Sequence, residues 1–92
     1  MNVQEIESRI SEGEVIITKD KLILVTFTEL LASFLTTISQ GDKEVDVEVI
    51  KAAIGVSEEI GSLKARIHTT GVMLNKLRET REHLINKQAI SN

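Results

Sequence analysis

The side chains able to do chemistry in this chain are few, and they gather late: Arg66, His68, Thr69 and Thr70, then Arg78, Glu79, Thr80 and His83. Nucleophilic catalysis would pair a hydroxyl with an imidazole, and the candidate pairs are His68 with Thr69 or Thr70, and His83 with Thr80. Neighbours along a helix point in different directions, and no third group orients either ring, so the roles a triad needs are not filled. Glu79 and His83 stand four residues apart and could grip a metal edge-on, but two ligands make no site. That pair reads as charged decoration of a helix face, as do Glu58 and Glu59. The chain has no glycine-rich phosphate loop, nucleophile elbow, His-Glu-x-x-His helix or calcium-loop spacing. The expectation is a protein that is not an enzyme and holds no metal or cofactor.

Arg66, His68, Thr70 and Arg78 suggest one sharper alternative. Thr69, Thr70 and Gly71 weaken a helix locally, and Thr70 places a hydroxyl where its neighbours on the stripe are leucine or isoleucine. A polar pocket at a subunit interface would follow, with Arg66, Arg78 and His68 donating to a small anion such as a nucleotide. A polar layer that sets the register of an oligomer accounts for the same residues and ranks first. Lys76, Arg78, Arg81 and Lys87 are interleaved with Glu79 and Glu82 and complement the end of a helix dipole. With Phe27 and Phe34 the sole aromatics, stacking on bases is not supported, and nucleic acid is not an expected partner.

These residues need elements to position them. Val3, Ile6 and Ile10 share a face, which predicts a short helix over 3–11 that Ser11-Glu12-Gly13-Glu14 ends. Residues 15–17 could pair with residues 22–24 as a hairpin across Lys19-Asp20; that turn lacks a glycine or asparagine, so the hairpin ranks second. Leu24, Phe27, Leu31, Phe34 and Ile38 recur at steps of three and four, predicting a core helix over 20–40 with Gly41 as its cap. From Asp46 the same steps visit Val49, Ala53, Val56, Ile60, Leu63, Ile67, Thr70, Leu74, Leu77, Arg81 and Leu84. The phase never slips across Gly55, Gly61 and Gly71, so a single helix over 46–87 is expected. A second stripe of Val47, Ile50, Ile54, Ser57 and Gly61 suggests two buried faces early in that helix.

Ninety-two residues fit one domain, and with neither cysteine nor proline in the chain, stability must come from packing or partners. Residues 1–63 carry twelve acids against five bases and residues 64–92 two acids against six bases, a split that can attract a second copy head to tail or present the basic end to an anionic partner, with ordinary solubility as the plainer reading. Residues 22–38 hold one charge, Glu29, and sit at the lower length limit for crossing a bilayer. An acid near the middle of a span costs about 2.5 to 3.5 kcal/mol, so a buried core helix is the better reading and no membrane partner is expected. No secretory signal is visible, which places the chain in the cytoplasm as an expectation.

The fold class expected is therefore all-α. It comprises an antiparallel helical hairpin with one long heptad-patterned C-terminal helix and a short N-terminal helix, assembled as an oligomeric bundle from a single domain, 1–92. A helix over 20–40 would cover only the first half of a helix over 46–87. Leu63, Ile67, Leu74, Leu77 and Leu84 are thus expected to be covered in part by the short first helix and otherwise to form an interface with a second copy, in either orientation. The function expected is a homo-oligomeric, non-catalytic interaction protein: an adaptor, inhibitor or regulator of another macromolecule, with a second protein as the expected partner. The alternative is an oligomer that sequesters or senses a small anionic ligand.

Overall fold

The computed structural model describes residues 1–40 and 47–91, with Ser91 described for its backbone alone. Two helices make up this part of the chain: α1, Val3–Gln40, and α2, Val47–Ser91. They pack side by side in opposite directions, since Glu14 meets Arg78 while Asp20 meets Arg66. The result is an all-helical hairpin measuring 75 × 15 × 14 Å. Asp46, expected to open the long helix, and Gly41, expected to cap the helix before it, lie outside the described residues.

The separate short helix over 3–11 and core helix over 20–40 are replaced by one continuous α1. Ser11-Glu12-Gly13-Glu14 lies within it, and residues 15–24 are helical, so the strand-pairing alternative is also corrected. The residues of α1 that are not exposed explain the continuity. They are Val3, Ile6, Ile10, Gly13, Ile17, Asp20, Leu24, Phe27, Leu31, Phe34 and Ile38, alternating steps of three and four without a break. Gly13 weakens the helix interior by about 1 kcal/mol relative to alanine. Burial of Ile6, Ile10 and Ile17 on either side of it outweighs that cost. Asn2 starts the helix: its Oδ1 accepts the Glu5 N–H at 2.8 Å.

Helix α2 is a single rod, as its unbroken phase implies, and it runs past residue 87 to Ser91. Gly55, Gly61 and Gly71 lie inside it, and no residue among those described has positive φ. Only one stripe packs. Val47, Ile50 and Ile54, placed on a second buried face by the sequence, are 60%, 40% and 54% exposed. A hairpin has no third layer to cover them.

The core is one side chain thick. Ile6, Ile10 and Leu74 form its buried centre, with Ile17, Leu77 and Leu84 packed against them, while Ala53 and Leu63 are buried further toward the connection. The first helix, expected to cover part of the stripe of Leu63, Ile67, Leu74, Leu77 and Leu84, does so as the opening of a longer α1. Because α1 begins at Val3, it runs back along the rear of α2 and occupies that stripe itself. The chain exposes 7036 Å², whereas a compact protein of its mass would expose about 5,300 Å².

Candidate functional site

Arg66 and Arg78, two of the four residues proposed to bind an anion, are each engaged by an acid of α1. Asp20 falls on the packed stripe of α1, where a lone carboxylate would be costly. Arg66 answers it with a two-pronged bond: Nε donates to Oδ2 and Nη2 to Oδ1, both at 2.8 Å. The guanidinium lies over the carboxylate, so Asp20 is only 5% exposed while the Arg66 side chain stays half open to solvent. These bonds hold the Asp20 carboxyl below its usual range; desolvation opposes the shift and the Arg66 charge reinforces it. Arg66 in turn is held above the ordinary arginine value, chiefly by its hydrogen bonds to Asp20.

Arg78 donates to Glu14 Oε1 at 3.0 Å, in an exposed ion pair that spans the two helices. Its other terminal nitrogen donates to Asn75 Oδ1 at 3.4 Å. Arg66 and Arg78 lie twelve residues apart, about 18 Å along α2 and a third of a turn around it. The structure does not bring them together, and His68 is exposed. Thr70 is half-buried on the stripe facing α1 and lines a groove with other residues. Among the described residues there is no group of three or more potential metal ligands.

That groove is about 900 Å³ in volume. Its floor combines Gly13, Leu74 and Leu77, with Ile16 and Met73 on its sides. Arg9, Glu12 and Lys76 supply polar groups at its edges. It is open along the hairpin and carries no convergent set of catalytic groups, so it can accommodate an apolar side chain better than it can perform a reaction.

The groove belongs to one flank of the hairpin. On α1 this flank presents Ile16, Ile23 and Leu30 at intervals of seven residues, 48%, 39% and 40% exposed; on α2 it presents Met73, 60% exposed. The other flank carries Glu7, Glu14, Lys21, Thr28 and Leu35 on α1 and Ile50, Lys64, Arg78 and Ile85 on α2; Leu35, Ile50 and Ile85 are exposed, and the Glu14–Arg78 pair spans it.

The later part of α1 has a further property. Thr26, Thr28, Thr36 and Thr37 each donate a hydroxyl to the carbonyl four residues back, at 2.7 to 3.1 Å. Those hydroxyls are satisfied within the helix, so burying this surface would strand none of them. An 18-residue window of α1 reaches a mean hydropathy of 1.8, long and apolar enough to cross a membrane by length and composition, and none of it is buried.

Sequence reasoning missed Asp20 and Glu14. The available signal for Asp20 was its position, seven residues after Gly13 and four before Leu24 on a stripe otherwise apolar, where a charge calls for a cation from the facing helix.

A helical hairpin with exposed aliphatic side chains along its flanks is the class these features define. The chain matches no protein-family model, and comparison with curated proteins and with solved structures finds no match.

Proposed function

We propose that this chain is a non-catalytic interaction protein that self-associates, with the hairpin as its building block and an adaptor or regulatory role toward another macromolecule. Its packed stripe reads as an antiparallel coiled coil. The observation that carries the proposal is the surface: about 1,700 Å² more than a compact protein of this mass exposes, with large aliphatic side chains outside the packed stripe. A stable pair of proteins typically buries about 800 Å² on each partner, so the excess is ample. The packed stripe itself is occupied within the chain, which leaves the flanks as the surfaces available to partners.

Sedimentation equilibrium of the full chain over a wide concentration range tests this reading. A dimer or larger species is the expected result; a monomer throughout would overturn it.

A second reading, insertion of the later part of α1 into a bilayer, is favoured by the hydropathy of that helix. Glu29 opposes it: it is exposed, lies on the side of α1 away from α2, and would face lipid. Flotation with phosphatidylcholine vesicles separates the two. Co-flotation of monomeric protein would favour the bilayer.

A further inference from the structure

We infer that two copies of this hairpin pair antiparallel through the flank that carries Ile16, Ile23 and Leu30, with Ile23 at the twofold axis and Leu30 of each copy meeting the groove of the other. The inference rests on the self-association proposed above and adds the face, the register and the orientation.

Three observations carry it. The first is spacing. Ile16, Ile23 and Leu30 lie at intervals of seven residues along one side of α1. A twofold axis perpendicular to the helix at Ile23 superimposes the level of Ile16 on that of the partner's Leu30, so the stripe complements itself without adjustment. Ile16 is also a wall of the groove, beside Gly13, Leu74 and Met73.

The second is charge. The end of the hairpin bearing the termini, residues 1–21 and 64–92, holds nine bases against seven acids. The described residues of the connection half, 22–40 and 47–63, hold one base against four acids. Antiparallel pairing sets the positive half of one copy against the negative half of the other, whereas parallel pairing stacks the two negative halves. At the level of the groove, Glu59 of one copy comes opposite Met73 of the other, within one helical turn of its Lys76. Arg66 falls at the level of the axis with its charge already matched by Asp20.

The third is polar satisfaction. Thr26 and Thr37, which border the stripe beside Ile23 and Leu30, have their hydroxyls bonded to their own helix. Glu29 projects elsewhere, so pairing through this flank leaves it in water. The bilayer alternative would not.

The chain has no cysteine, so single introduced thiols report directly on the arrangement. The experiment combines mass in solution with oxidative cross-linking of the full chain carrying Ile23→Cys, Leu30→Cys, or an equimolar mixture of Ile16→Cys and Leu30→Cys. A disulfide needs Cα atoms closer than about 7 Å. Residues at the axis satisfy that, while the two Leu30 positions stand about 21 Å apart along the pair. The expected result is a covalent dimer for Ile23→Cys, none for Leu30→Cys alone, and a mixed dimer for the Ile16→Cys and Leu30→Cys pair. Leu30→Asp, at an exposed position, keeps the helical content and weakens the dimer about thirtyfold or more. Leu30→Cys linking to itself as readily as Ile23→Cys would overturn the antiparallel register while self-association stood. A dimer whose mass Leu30→Asp leaves unchanged would overturn the face. A monomer at all concentrations would remove both this inference and the reading beneath it.

Discussion

Leu74 lies directly over Gly13. A β-carbon placed on that glycine would stand 2.6 Å from Leu74 Cδ2 and 3.2 Å from its Cγ. Leu74 is 3% exposed and packed with Ile6 and Ile10, so it has little room to withdraw. The absence of a side chain at residue 13 is what allows the first third of α1 to lie close against the rear of α2.

The glycines should therefore divide by environment. Gly55 and Gly61 have nothing within 4 Å of an added β-carbon, so Gly55→Ala and Gly61→Ala should each stabilise the fold by about 0.5–1 kcal/mol through helix propensity. Gly13→Ala gains the same propensity but overpacks Leu74, a penalty of about 1–3 kcal/mol, for an expected net loss of about 1 kcal/mol. Thermal unfolding checks this by the direction of the shift. A higher midpoint for Gly13→Ala would show that Leu74 turns aside freely.

The Asp20–Arg66 pair should behave as a dependent couple. Arg66→Ala removes both the partner and the cover of the Asp20 carboxylate and should lower the unfolding midpoint, and Arg66→Lys should recover only part of the loss because an ammonium cannot form the two-pronged bond. Asp20→Leu combined with Arg66→Ala restores an apolar stripe and should regain most of the stability. A double variant as unstable as Arg66→Ala alone would show that the pair contributes by another route.

The same pair predicts a sign for pH dependence. The carboxyl of Asp20 is held below its ordinary value of 3.8, so between the lowered folded value and that ordinary one the unfolded chain binds more protons than the folded chain. The stabilisation is fully present above the ordinary value and is lost as pH falls through the folded value. Unfolding followed from pH 6 downward should show this loss in the native chain. Asp20→Asn should lack that component. An unchanged acid limb in Asp20→Asn would assign the dependence to other carboxylates.

Leu74→Ala should cost about 2–5 kcal/mol, the usual range for emptying a buried leucine site. In a hairpin whose core is one side chain thick, that is enough to fray both helices from their free ends. Circular dichroism should show reduced helicity even at low temperature. Leu22→Ala, at a position 70% exposed, should leave the midpoint nearly unchanged. Equal effects at the two positions would mean that Leu22 is covered in the assembled protein.

Helix α2 was legible from residues 49 to 84, because the same steps of three and four persist across three glycines and admit one straight stripe. α1 carries the same persistence from Val3 to Ile38. It was obscured because Gly13 looked like a stop and Asp20 interrupts the apolar residues. Treating both as stripe positions would have joined the two predicted helices. The reading of Arg66, His68, Thr70 and Arg78 as an anion site was made from α2 alone, and the acids of α1 that pair with the two arginines, Asp20 and Glu14, could not be seen until α1 was placed.

The all-helical character, the length of α2 and the stripe along it were determined by the chain alone, since periodicity and helix propensity are local and need no partner to be expressed. Tertiary structure alone decided which surface covers that stripe, that Gly13 is a point of close approach, and that Arg66 and Arg78 are paired. A repeating step tells which side chains share a face, but it carries no information about what lies opposite. That is settled by where the other helix begins and by the register in which its side chains interlock.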